Sequence, residues 1–175
     1  MRVLRIRLQF AAFALLFLII ACTSTKFSGI LKDVTYHGHP ERILVINTFP
    51  TPGTRMVFED ELVKVLKEHG IDAVASYSVM PKPLVSDKDV LASQAKEVGA
   101  DTVLTNRYLG RTMDDLEPGK TDSINTQTDV YDMKSNRLVF SASAETKINS
   151  RKPYFPQVET YIRDLINKLS QEGLF

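Results

Sequence analysis

The sequence predicts an α/β fold of α+β character: a mixed sheet in two or three layers, with elements in the order βαβαβ, then ββ, then α. Three observations predict it. Ile43-Leu44-Val45-Ile46 is an unbroken branched apolar run, as in a strand covered on both faces. Segments of helical period follow this strand and the next, which is how crossover helices join parallel strands. Two stretches of strict alternation, 123–131 and 137–148, then face each other across a short polar turn, as in an antiparallel hairpin.

In order, Arg42–Asn47 is the first strand and is expected at the centre of the sheet. Phe49-Pro50-Thr51-Pro52-Gly53 turns the chain. Thr54–His69 is a helix with Phe58, Leu62, Val65, Leu66 and His69 on one face. Thr54 can cap it, or Thr51 with Pro52 as first helical residue; Gly70 ends it, and Arg55 and Glu59 are spaced to pair. Ile71–Val79 is a second strand, closed by Met80-Pro81-Lys82-Pro83. Ser86-Asp87-Lys88-Asp89 resembles a capping box for a helix over Asp87–Val98, which Gly99 stops. Asp101–Leu109 is the third strand, and Asp101 is placed to bind nearby backbone amides. Gly110–Asp122 is a polar loop carrying Asp114, Asp115 and Glu117. In the hairpin, Ile124, Thr126, Thr128 and Val130 share a core face with Leu138, Phe140, Ala142, Ala144, Thr146 and Ile148. Ser141, Ser143, Glu145 and Lys147 are expected to be wet, and Asn136 suits the left-handed position of the turn. A last helix over Pro156–Gln171 carries the stripe Val158, Tyr161, Ile162, Leu165, Ile166 and Leu169.

The beginning of the chain is an address. Arg2, Arg5 and Arg7 precede an apolar stretch, Leu8–Ala21, broken only by Gln9. A basic start, a short apolar core and small residues at its end make a secretory signal. The core falls short of the roughly 20 apolar residues of a comfortable membrane span. It ends at Cys22, the only cysteine. The expected division is a signal peptide over 1–21, a lipidated start and tether over 22–41, and one mixed α/β domain over 42–175.

Loss of residues 1–21 removes three arginines and no acid from 22 basic and 21 acidic residues, leaving 19 against 21. No basic block remains, which argues against a nucleic-acid partner. With its one thiol at position 22, the chain has no internal disulfide and must stand on its hydrophobic core.

Ile19-Ile20-Ala21-Cys22 resembles a bacterial lipobox. The resemblance implies a diacylglyceryl group on the Cys22 thiol, cleavage before it and acylation of the new amine. In lipoproteins of the enterobacterial kind, Asp after the cysteine retains the protein in the inner membrane. Thr23 stands there in this chain, which implies the outer membrane with the domain facing the periplasm.

The element order, Ile43–Ile46, the run Ala95–Leu104 with its Gly99-Ala100-Asp101 junction, and Val130-Tyr131-Asp132 with Arg137–Phe140 are similar to a known pattern. It is the periplasmic lipoprotein fold shared by the N-terminal domain of TolB, the curli secretion lipoprotein CsgG and the penicillin-binding-protein activator LpoB. Arg55, Phe58-Glu59 and Ser76-Tyr77 further resemble uncharacterised bacterial lipoproteins of similar length. The resemblance implies as partner a cell-wall synthase, a secretion or assembly machine, or a second copy.

Chemistry-bearing groups are sparse. His37 and His39, near Asp33, are the metal candidates, although a structural zinc site normally takes four ligands. The acidic loop lacks the spacing of a calcium loop, and no glycine-rich phosphate loop or nucleophile elbow occurs. No cofactor is implied. Two readings follow. In the first, the chain is a membrane-anchored, non-enzymatic binding or assembly module for another envelope component, docking through Gln127, Asp129, Ser143 and Glu145 on the wet hairpin face. In the second, it is a small periplasmic enzyme or ligand-binder. Its site would lie outside the carboxyl ends of the parallel strands, built from Asn47, Thr48, Thr54, Ser78, Asn106 and Arg107.

Overall fold

Ile43, Leu44, Val45 and Ile46 show no solvent exposure, and the architecture follows from covering both sides of that strand. A computed structural model describes residues 25–80, 87–112, 122–149 and 154–175, Tyr154 by its backbone alone. The signal segment and Cys22 lie outside the described residues, as do Pro81–Ser86 and the acids at 114, 115 and 117.

The strands are β1 (Thr25–Lys32), β2 (Arg42–Asn47), β3 (Asp72–Ala75), β4 (Thr102–Thr112), β5 (Asp122–Asp132) and β6 (Arg137–Ile148). The helices are α1 (Pro52–Glu68), α2 (Lys88–Glu97) and α3 (Tyr154–Gln171). Together they make the mixed α/β fold that the pattern predicts, with a six-stranded sheet in the order β1-β6-β5-β4-β2-β3. The β2 strand runs parallel to both β3 and β4, and the other pairs are antiparallel.

Helices α1 and α3 pack on one face around Phe58, Leu62, Leu104, Phe140, Ile162 and Leu165. On the other face, α2 covers only the β2–β4 region, through Leu44, Ile46, Leu91, Ala95 and Val103. The molecule therefore has three layers at one side of the sheet and two at the other. The second face of β5, β6 and β1 has no helix over it among the described residues.

Several expectations change. The tether expected over 22–41 is in part a strand: β1 pairs antiparallel with β6, Thr25 against Thr146 and Phe27 against Ala144. Its alternation is blurred by a bulge between Ser28 and Leu31, where Gly29 has φ 58°. The β2 strand is next to the sheet edge rather than central; helices on both faces, not position in the sheet, account for its burial. The strand expected over 71–79 ends at Ala75, and Ser76–Ser78 coils into a 3-10 turn that points Ser76 inward. The third strand runs on to Thr112 through a bulge at Tyr108–Gly110. On β6, a bulge sets Tyr131 opposite Leu138 and Val130 opposite Phe140. Leu138 consequently leaves the core face and is 40% exposed, while Val139 is buried. Ser141, expected wet, is 7% exposed because it bonds to Asp129.

The caps follow turn chemistry. Thr51 accepts from Thr54 N at 3.3 Å with Pro52 opening α1, and Asp87 accepts from Asp89 N and Val90 N to open α2. Asn136 has φ 53° in the β5–β6 turn, as expected.

Asp101 ties the start of β2 to the start of β4. Its carboxylate accepts from Glu41 N, Arg42 N and Thr102 Oγ1, and Lys134 lies 3.4 Å away. Burial by itself would raise its pKa, but these donors together hold it below the ordinary 3.8. The carboxyl thus ionises at lower pH folded than unfolded. Its contribution is complete above the unfolded value and is lost as pH falls through the folded one. Asp101→Asn is expected to cost about 1–2 kcal/mol at pH 7, with the gap to the parent closing toward pH 3. Urea unfolding across that range checks it; a gap independent of pH would contradict the assignment.

Candidate functional site

The residues proposed for the carboxyl ends of the parallel strands are mostly built into the fold. Asn47 and Asn106, opposite each other on β2 and β4, are both fully buried. Asn47 Nδ2 donates to Asn106 Oδ1 at 3.1 Å, and Asn47 Oδ1 accepts from Phe49 N at 2.7 Å. Asn106 Nδ2 donates to Thr128 Oγ1 at 2.9 Å and to Tyr161 OH at 2.6 Å. Burial pushes the Tyr161 hydroxyl above its ordinary pKa, keeping it a neutral donor and acceptor between Asn106 and Thr126. Thr48 Oγ1 accepts from Tyr108 N, Thr54 Oγ1 accepts from Thr51 Oγ1, and Ser78 Oγ donates to Ala75 O.

Beside them lies a buried ion pair. Glu59, fully buried, accepts at Oε1 from Arg55 Nε (2.9 Å), Ser76 Oγ (2.8 Å) and Asn47 N (2.9 Å), and at Oε2 from Tyr77 N (2.9 Å). Arg55, 6% exposed, also donates to Ser76 Oγ and to Met80 O. The i, i+4 spacing announces the pair. Its depth comes from tertiary packing, because Ser76 and Tyr77 reach Glu59 only after β3 breaks into its 3-10 turn. The chain's own charged groups occupy the part of the strand-end region next to β3, while a cleft of about 200 Å³ lined by Phe49, Thr51, Thr54, Tyr108, Arg111 and Ile124 stays open beyond the ends of β2 and β4.

Arg107 belongs elsewhere. It points from β4 to the uncovered face and meets Asp129 Oδ2 at 3.1 Å. Asp129, 5% exposed, also accepts from Ser141 Oγ at 2.7 Å and from Gln127 Nε2 at 3.2 Å. Gln127 Nε2 donates to Ser141 Oγ, and its Oε1 accepts from Ser143 Oγ at 2.6 Å. One hydrogen-bonded ladder therefore crosses β4, β5 and β6, with Asp129 as its buried anchor. Exposed Glu145 faces exposed Lys26 of β1, and Ser143 faces exposed Ser28. Toward the β5–β6 turn, the same side of the domain carries Leu31 (67% exposed), level with Ser141, and Leu138, level with Tyr131. Sequence alternation locates the polar ladder; the contribution of β1 and the exposed apolar residues depend on two bulges that carry no clear sequence signal.

His37 and His39 are exposed on the connection before β2, while Asp33 is engaged with Thr35 and Arg137. Among the described residues there is no cluster of three or more His, Cys, Asp or Glu able to hold a metal. His69 Nδ1 lies 2.8 Å from Val65 O at the end of α1. No helix among the described residues is long and apolar enough to cross a membrane.

The chain is similar to several solved bacterial proteins. PelC from Paraburkholderia phytofirmans, solved as a dodecamer, shares 15% identity over 83% of this chain and 96% of its own, with TM-score 0.56. The lipoprotein GNA1162 from Neisseria meningitidis shares 15% identity over 75% of this chain and 97% of its own, with TM-score 0.47. The LpoB C-terminal domain from Salmonella enterica shares 9% identity over 64% of this chain and 87% of its own, with TM-score 0.42. No protein-family model and no curated protein matches the chain.

Proposed function

We propose that this chain is a lipid-anchored protein of the bacterial envelope that acts as a non-enzymatic docking module, with the uncovered face of β5, β6 and β1 as its binding surface. The observation that carries this reading is the ladder from Arg107 through Asp129, Gln127, Ser141 and Ser143. It holds polar groups in fixed directions on a face that no helix covers among the described residues, beside exposed Leu31 and Leu138. Preset polar groups next to a small apolar patch suit a protein surface, since little side-chain freedom remains to be lost on binding. Burial of Asn47 and Asn106, two of the six strand-end candidates, in hydrogen bonds within the fold supports this reading over the enzymatic one. PelC, which has this fold, is a dodecamer; a second copy of this chain is therefore a partner to test alongside a different envelope protein.

A photo-crosslinking residue at Ser28 or Glu145, in the lipidated protein in its own cells, is expected to yield a discrete adduct. The same residue at exposed Lys67 on α1 should yield none. Leu138→Asp is expected to reduce the adduct several-fold while leaving the unfolding midpoint near that of the parent, as befits an exposed position. Adducts of equal strength from Lys67, or none from the β-face, would count against the docking surface. Asp129 is unsuitable as a probe, because its burial makes any substitution a stability change.

A further inference from the structure

We infer that the connection over residues 33–41 is an acid-released strap, clasped to the sheet by two carboxylates, and that it controls how firmly β1 stays on the docking face. The strap leaves β1 at one edge of the sheet and reaches β2 only by crossing the ends of β6, β5 and β4. All of residues 33–41 are among those described.

Three fastenings hold it. At the start of β6, Asp33 N donates to Val139 O at 3.0 Å, and the Asp33 carboxylate meets Arg137 Nη1 at 3.1 Å. The same carboxylate accepts from Thr35 N at 2.9 Å and from Thr35 Oγ1 at 2.6 Å, in a turn closed by Tyr36 N donating to Asp33 O at 3.1 Å. In the middle, the Tyr36 ring is buried in the core and its hydroxyl bonds to Thr102 at the start of β4. Gly38 lies against this ring, where a Cβ would stand 2.7 Å from it. At the far end, Asp101 accepts from Glu41 N and Arg42 N, with Lys134 3.4 Å away. Residues 37–40 make no backbone–backbone hydrogen bond among the described residues, so the strap depends on these three points.

Two of the three are ionised carboxylates. The Thr35 hydroxyl and amide, then the charges of Arg137 and His37, hold the Asp33 carboxyl below the ordinary 3.8. Burial opposes ionisation of Asp101, yet its backbone donors, Thr102 and Lys134 hold it below the same value. Both carboxyls thus ionise at lower pH folded than unfolded. The clasps are complete above the unfolded value and fail as pH falls through the folded ones, below 3.8. Arg137 and Lys134 on the sheet side, and exposed His37 and His39 on the strap, are then cations with neither carboxylate between them. The neighbouring charges do not take over: Arg42 pairs with Asp72, Asp132 accepts from Ser135, and Glu41 is exposed. Burial pushes the Tyr36 hydroxyl above its ordinary 10, so it stays neutral throughout.

Release matters because little else holds the Leu31 end of β1. Its pairing with β6 is interrupted by the bulge after Ser28, and Thr25 is the one buried residue of the strand. With the strap open, Leu31 is free to leave β6, and the docking face loses part of its apolar corner. This consequence rests on the docking reading; the strap itself does not.

Deuterium pulses on the full-length lipidated protein in detergent micelles, from pH 7 to about pH 2.5 and normalised to the intrinsic exchange rate at each pH, read the strap directly. Protection over 33–41 is expected to fall about tenfold or more below 3.8, while β2, β4 and α3 keep theirs. Protection that persists to the lowest pH, or that is lost in step with β2 and α3, overturns the strap. Asp33→Asn with Asp101→Asn should abolish the pH step, and a step that survives in the double variant overturns the assignment to these carboxylates. If the double variant does not fold, Asp33→Asn alone, at a side chain 19% exposed, must still shrink the step, and an undiminished one counts the same way. A photo-crosslinking residue at exposed Leu31 reads the consequence: in envelope fragments its adduct should fall several-fold over the same pH interval. An open strap with an undiminished adduct strikes out the control of docking alone. No adduct at any pH removes the docking reading and the control built on it, with the exchange result on the strap unaffected.

Discussion

Glu59→Ala is expected to destabilise the domain by about 3–5 kcal/mol, enough to threaten folding of a protein of ordinary stability. The substitution removes the carboxylate to which Arg55 Nε donates at 2.9 Å, beside a guanidinium that is 6% exposed. It also strips the acceptor from Asn47 N, which is buried, and from Tyr77 N, which is partly buried. Glu59→Gln keeps one carbonyl acceptor and should cost less. Arg55→Met with Glu59→Leu removes both charges, yet recovers only part of the loss, because the two amides still lack a partner. Urea unfolding followed by circular dichroism ranks the variants. A Glu59→Ala protein within about 0.5 kcal/mol of the parent would show that the pair contributes nothing.

Phe58→Ala should be comparably costly, about 3–5 kcal/mol. Phe58 is 1% exposed and lies 5.8 Å, centroid to centroid, from both Phe49 and Tyr161. Truncation removes the ring that joins α1 to α3 and enlarges a small cavity, about 20 Å³, already present beside it. The walls of that cavity are set by β5, β6 and α3, so collapse into the space is limited and the cost falls toward the upper end. Thermal unfolding measures it. Phe58→Leu, which keeps most of the volume, should lose much less. Equal losses for Leu and Ala would point to a local role for the ring rather than to packing.

The two substitutions probe different parts of one design. Phe58 secures the helical layer over the sheet, whereas Glu59, its neighbour in sequence, ties α1 to the end of β2 and to the 3-10 turn after β3. A helix can do both because adjacent residues diverge by about 100° around its axis. The docking reading uses a separate surface, the side of the sheet that has no helix over it among the described residues.

The amino-acid sequence by itself determined what is local or periodic. The branched run 43–46, the stripe of α3, the alternation of β5 and β6, the cap at Gly70 and the turn at Asn136 each depend on residues within a few positions of one another. Asp101 as a backbone anchor was likewise legible from turn chemistry; period-two alternation set Gln127, Asp129, Ser143 and Glu145 on one face, but not the hydrogen bonds that bury Asp129 and Ser141 there. What only the tertiary structure decided involves partners distant in the chain. The segment from Thr25 becomes a strand because the edge of β6 is there to pair with it. The strand after Ile71 stops at Ala75 because Glu59, on another element, takes up Ser76 and Tyr77. Leu138 turns out of the core because a bulge shifts the register by one residue, and one residue exchanges the two faces of a strand. Periodicity specifies which residues avoid water; it does not specify which edge, bulge or buried charge receives them.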